Sequence, residues 1–211
     1  MFLPRPDRAQ SADERRTLLR AHPFGLLIAA GRDRAVPVVS PSPFVLEADD
    51  TVLLHLATPN PIWQAIAENP QVMLAVTADA AYVPGAWKAI GDEDPAQGVP
   101  TEYYASVHLT GQIALLDDPA DKLALLRRMT AEFEPDGGLA DPEVHRSKLP
   151  AIRGARLTPT EVAAKFKYGG NVDAEHRRAV AERLAARATP GDAAARTALL
   201  RRLDNEQPAG R

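Results

Sequence analysis

Cysteine is absent from the chain. Disulfides, thiolate metal sites, iron–sulfur clusters and cysteine nucleophiles go with it, so any metal must rest on histidine, carboxylate or other oxygen ligands. No apolar run approaches the roughly 20 residues that span a bilayer. The opening MFLPRPDRAQSADERR has no apolar stretch behind a basic segment, so no membrane is expected and a cytoplasmic location is the default. An excess of positive charge is also missing. The formal net charge is −3, whereas a protein that neutralises many phosphates presents a basic face, so nucleic acid is not an expected partner. The glycine-bearing stretches GRDR, PDGG and YGG match neither the dinucleotide fingerprint nor the P-loop, and there is no internal repeat of useful length.

What is there is ordinary globular material, 45% apolar and 25% charged, which argues against disorder and fibrous structure. The 211 residues fit one large domain or one domain with a helical appendage. Ser11 predicts a helix cap ahead of Leu18 and Leu19, with a helix over about 11–21. The runs FGLLIAAG, AVPVVS, PFVLEA and TVLLHLA, split by short polar turns, read as a strand meander, with Pro37, Pro41 and Pro43 at edges or bends. In NPIWQAIAEN, Asn60 and Pro61 predict the start of a short helix. QVMLAVTA reads as a strand, AAYV as another, 88–100 as a surface flap, and 102–116 as a strand. Asp118 and Pro119 open a helix with Leu123, Leu126, Met129 and Phe133 on one side. DPEVHRSKLPAI reads as a short helix, RGARLT and EVAAKFKYG as two closing strands, the stretch from Asp173 as helical, and the end NEQPAGR as frayed. Six or seven strands with few intervening helices exclude a doubly wound parallel sheet. They predict an α+β fold, a small mainly antiparallel barrel with flanking helices.

The pieces HPFGLLIAAG, HLATPNPIW, AAYVPGAW, VPTEYYASVHLTG and FKYGGN, in this order, resemble the PaiB family, known as FMN-binding negative transcriptional regulators. The resemblance covers about residues 1–180. It implies a split β-barrel of the pyridoxamine-phosphate-oxidase kind, placed here over 1–172 with a C-terminal helical extension over 173–211, and a homodimer with its cofactor near the subunit interface. It also extends to haem-dependent piperazate synthases, which join two nitrogens of an N-hydroxylated ornithine. The departures are specific. Pro41 replaces a family histidine, Gly85 and Ala86 replace part of a serine-bearing stretch, Glu102 replaces a tryptophan, and Gly169 replaces a polar residue after the retained Lys167.

FMN carries a phosphate dianion that needs convergent donors, and those departures remove side-chain donors. Haem needs an apolar slot, one axial ligand and groups for two propionates. The resemblance therefore favours haem, with FMN as the alternative. It makes His55 the axial ligand of the iron and places Asn60, Trp63, Tyr82 and Lys167 around the cofactor. It makes Glu102 and His108 candidates for moving protons on a small nitrogen-bearing substrate. Each has a plainer alternative. His55 can fix its turn through a backbone carbonyl, Trp63 and Trp87 can be core, Glu102 and Lys167 can be solvated, and His108, which shares a strand face with Ser106 and Thr110, can face solvent. His22, His145 and His176 carry no functional expectation.

Overall fold

Ser11 opens the first helix. In the computed structural model, which describes residues 1–206, its Oγ accepts a hydrogen bond from the Glu14 amide at 3.1 Å, and α1 runs Ala12–Ala21. Asp13 and Glu14 lie in its first turn and Arg20 in its last, each at the end of the helix dipole that favours it. The strands β1 (Phe24–Ala29), β2 (Val38–Pro43), β3 (Val45–Leu46) and β4 (Val52–Ala57) follow. Then come α2 (Ile62–Glu68), β5 (Gln71–Val83), β6 (Thr101–Leu116), α3 (Pro119–Phe133), β7 (Ile152–Lys167), α4 (Ala174–Arg187) and α5 (Asp192–Asn205). The expected fraying of NEQPAGR lies, from residue 207 on, outside the described residues.

The strands form one sheet in the order β2-β1-β5-β6-β7-β4-β3. β1 pairs antiparallel with β2 and β5, and β4 with β3 and β7. The fold is α+β, an open antiparallel sheet of split-barrel type with flanking helices. Pro41 and Pro43 fall in β2, an edge strand, where a missing N–H leaves no ladder bond unmade on the open side.

Three expectations change. QVMLAVTA and AAYV belong to one strand, β5, and RGARLT and EVAAKFKYG to one strand, β7. Pro159 reads as a break in the sequence, but it falls past Leu157, where the ladder to β4 ends, so its missing donor costs no bond to β4. DPEVHRSKLPAI forms 3₁₀ turns over Pro142–Ala151, interrupted at His145, rather than an α-helix.

The chain divides into two compact units: Met1–Arg15, Thr77–Val107 and Ala163–Arg211 form the first, and Arg16–Val76 and His108–Val162 the second. In the second unit, alternation along the paired strands separates two faces. Val52 and Leu54 of β4 with their partners Leu157 and Ala155 of β7 are fully buried on one face, as are Leu27 and its partner Leu74. On the other face Val45, Leu53 and Leu116 pack against Leu125 and Met129 of α3. Lys122, not expected in the core, is buried in the first turns of α3 and donates to the Leu149 carbonyl at 3.3 Å.

In the first unit α4 and α5 pack together. Val180 and Leu184, one helical step apart, are buried as their spacing predicts. The arginines of these two helices are not a uniformly solvated face. Arg177 pairs with Glu206, Arg187 with Asp192, and Arg202 with Glu14 at 2.6 Å, and Arg177 and Arg202 are buried. The loop between β5 and β6 makes 3₁₀ turns at Gly85–Lys88 and Pro95–Gln97. Its two arms cross at Gly85 and Gly98. A Cβ on Gly85 would meet the Gly98 carbonyl oxygen at 2.3 Å, so this crossing requires glycine.

Candidate functional site

His55 sits on β4 on the face that carries Leu53, because side chains alternate along a strand. It therefore points away from the fully buried Val52 and Leu54 and toward α3. Its register partner on β7 is Gly154, where a Cβ would come within 2.7 Å of the Leu125 side chain and 3.1 Å of Leu116. Glycine at this position lets α3 approach the sheet beside the imidazole. His55 Nδ1 lies 3.2 Å from Met129 Sδ, and its other ring nitrogen, Nε2, has no partner among the described residues.

The imidazole borders an open pocket of about 340 Å³. Pro43, Leu126, Met129, Phe133 and Leu139 supply apolar wall, and Thr130 and Glu134 are the polar members besides His55. Phe133 and Leu139 are exposed at the rim. Burial pushes the His55 pKa below its usual 6.5, because desolvation penalises the charged ring. A neutral imidazole with an unpartnered Nε2 can bind a metal or take a proton.

The other expected residues divide between the units. Asn60 and Trp63 follow β4 in the second unit. Asn60 Oδ1 accepts from the Ile62 amide at 3.0 Å, and its Nδ2 donates to Ser40 Oγ at 2.9 Å, so the side chain starts α2 and ties it to β2. Trp63 is buried, donates from Nε1 to the Ala57 carbonyl at 2.9 Å, and has the Arg153 guanidinium 5.5 Å from its ring centre. Arg153 pairs with Leu56, one residue past His55, so strand alternation puts Trp63's partner on the face opposite the imidazole. Neither Asn60 nor Trp63 lines the His55 pocket. His108, on β6, is half-buried, and desolvation also lowers its pKa.

Tyr82, Glu102 and Lys167 belong to the first unit. Tyr82 and Glu102 are exposed, and Lys167 places its amine 6.0 Å from the centre of the Tyr104 ring. Burial first, and the charge of Lys167 second, push the Lys88 amine down. Trp87 is covered by the Arg187 guanidinium at 4.6 Å. His176, which carried no expectation, is clasped by two carboxylates: Nδ1 lies 2.7 Å from Asp173 and Nε2 3.0 Å from Glu93. Its pKa is raised, by the hydrogen bond to Glu93 first and by Asp173 as well. Met129, Phe133 and Glu134 were missed as pocket residues. The period of α3 put Met129 and Phe133 on one side, but nothing in the sequence says that this side faces His55.

Among the described residues no group of three or more histidine and carboxylate side chains is placed to hold a metal ion, and no helix is long and apolar enough to cross a membrane. The family model described as "Putative FMN-binding domain" matches residues 1–161. The chain belongs to this family. Membership in the FMN-binding domain family accounts for most of the barrel, and solved structures agree on the fold. The FAD and haem binding protein from Mycobacterium smegmatis is 22% identical, with a TM-score of 0.60 over 82% of this chain and 79% of that one. The flavocytochrome Anf3 from Azotobacter vinelandii is 22% identical, with a TM-score of 0.57 over 81% and 74%. The conserved hypothetical protein Rv2991 from Mycobacterium tuberculosis is 11% identical, with a TM-score of 0.58 over 82% and 94%. At these identities the likeness concerns the fold. No curated protein matches the sequence.

Proposed function

We propose that this member of the FMN-binding domain family is a haem-binding split-barrel enzyme that works as a homodimer, in which His55 would hold the haem iron. The observation that carries the reading is the His55 pocket: an apolar wall, an imidazole with an unpartnered Nε2, and no cationic side chain in the lining. That set supplies the apolar wall and the imidazole by which a flat macrocycle would be held, while partners for its two propionates would come from outside this lining. It does not fit a phosphate dianion, for which the lining offers a single hydroxyl, Thr130. The names of the Mycobacterium smegmatis protein and of Anf3 support the view that this fold accommodates haem as well as flavin.

The resemblance to PaiB-like haem-dependent synthases supports an N-hydroxylated amine or amino acid as substrate class and N–N bond formation as the reaction. Bound haem would supply a Lewis-acidic iron able to polarise an N–O bond. The chain's own residues supply the rest. Leu126, Met129 and Phe133 exclude water from one side of the pocket, and Glu134, its one carboxylate, is placed to attract an ammonium or accept its proton. Glu102 and His108, the resemblance's candidates for proton transfer, do not line this pocket.

The dimer is supported by an apolar sheet surface in the second unit. Phe24, Leu26 and Val39 are exposed, and the register sets Leu26 between Pro41 and Ala75 on one face of β1, β2 and β5. Pro43, partner of Phe24, borders the His55 pocket, so a second copy on this face would also flank the cofactor.

The second reading is FMN. The family description favours it, as do Lys88 and Lys167, two like charges with no carboxylate partner among the described residues that could meet a phosphate. A DNA role has less support, because the arginines of α4 and α5 that would face a groove include three tied up in ion pairs. The deciding experiment is an absorption spectrum of protein expressed with adequate iron and haem precursor, before and after dithionite. A Soret band that disappears in His55→Ala is expected. A full haem complement in that variant would reject the ligand assignment, and flavin bands that bleach on reduction would establish the second reading.

A further inference from the structure

The contact between His55 and Met129 bears on which nitrogen of the imidazole is available. A thioether sulfur carries no proton and can only accept. At 3.2 Å, Nδ1 facing Sδ is attractive if Nδ1 bears the hydrogen and repulsive if it presents a lone pair. Met129 is 6% exposed and packed with Val45, Leu53 and Leu125, so its sulfur is held in place by the core rather than free to turn away. No other group among the described residues bonds to the ring.

We propose that Met129 is a positioning residue that holds His55 in the Nδ1–H tautomer, leaving the Nε2 lone pair directed at the pocket. A histidine that binds a metal ordinarily donates its second N–H to a carboxylate or a backbone carbonyl, which raises its basicity. Here the acceptor is a thioether, a weak one, so the imidazole is oriented while being left a comparatively poor electron donor. The use of Nε2 toward an iron rests on the haem reading above, whereas the tautomer itself is a property of the cofactor-free protein.

The test is nitrogen NMR of cofactor-free protein labelled with ¹⁵N-histidine, at about pH 8, above the range in which histidine is charged. His55, assigned by the loss of its signals in His55→Asn, is expected to show a protonated Nδ1 and an unprotonated Nε2. Met129→Leu keeps the volume of the side chain, a swap that packed cores tolerate. It is expected to shift the tautomer ratio toward Nε2–H by roughly threefold or more, the range of a lost weak hydrogen bond. Met129→Gln, whose amide oxygen can accept, is expected to restore Nδ1–H. A wild-type His55 that is mainly Nε2–H, or a ratio unchanged in Met129→Leu, overturns the proposal. Haem titration of the same samples separates the two claims. Absence of a Soret band beside an Nδ1–H His55 rejects the haem reading and leaves the role of Met129 standing.

Discussion

Around His55 the neighbours are Met129, Leu126, Phe133 and Leu139, and the ring makes one weak contact through a thioether. Around His176 they are Asp173 and Glu93, and on the same helices Arg177, Arg187 and Arg202 each meet a carboxylate. The first region keeps a titratable group neutral by removing water from it. The second favours the charged forms of its groups by pairing them. An imidazole meant to lend a lone pair must not be protonated, and apolar burial secures that at some cost in solvation. Two packed helices rich in arginine have no such need, and opposite charges hold them together.

The comparison is sharpest for ligand binding. His55→Ala is expected to abolish haem uptake, while His176→Ala should leave the Soret band of haem-loaded protein unchanged in position and intensity. Equal loss in both variants, read by absorption titration, would dissolve the distinction. Next in size is the pair of buried Arg202 with half-buried Glu14, in which the guanidinium also donates to the carbonyls of Pro6 and Arg8. Arg202→Met removes the cation facing Glu14, whose carboxylate keeps the Gln10 amide as a donor, and is expected to cost about 3 kcal/mol in denaturant unfolding. In the apolar region the counterpart is Leu125→Ala, which empties space between α3 and Gly154 and is expected to cost about 2–5 kcal/mol.

The two histidines should respond to pH with opposite sign. The His55 pKa is depressed in the folded chain, so its contribution is present above the ordinary value of 6.5 and is lost as pH falls through the depressed value. The His176 pKa is raised, so its contribution is complete below 6.5 and is lost as pH rises through the raised value. Cofactor-free His55→Asn is therefore expected to lose less stability than wild type on acidification below 6.5, and the deficit of His176→Asn to shrink above it. Melting temperatures measured across that range check both; the same sign for the two variants would break the comparison. The smallest effect belongs to the exposed pair Arg127 and Asp141, whose loss in Arg127→Ala should barely move the denaturant midpoint, any difference fading with added salt.

Much of the barrel could be read from local pattern. Ser11, Asp118 and Asp173 all bond to backbone amides at the starts of helices, as their types predict, and the edge position of β2 follows from its prolines. Where the pattern misled, a long-range fact was missing. Pro159 looks like the end of a strand until the β4 ladder is seen to stop before it. No local period in α4 and α5 marks that Arg202 meets Glu14 or that Arg177 meets Glu206.

The candidate site divides in the same way. His55 stood out because it ends an apolar strand just ahead of a helix in a stretch that resembles a known family, and the structure gives it an open pocket. Its partner Met129, 74 residues away, left no trace in the local sequence, because a helix period marks which residues share a side but not what that side meets. Composition, caps and alternation by themselves determined the α+β class, the excluded chemistries and where most strand and helix segments begin, since those depend on neighbours within a few residues. Only the tertiary structure decided that His55 faces α3 while Trp63 sits with Arg153 across the sheet, because facing is set by which strands pair and in what register.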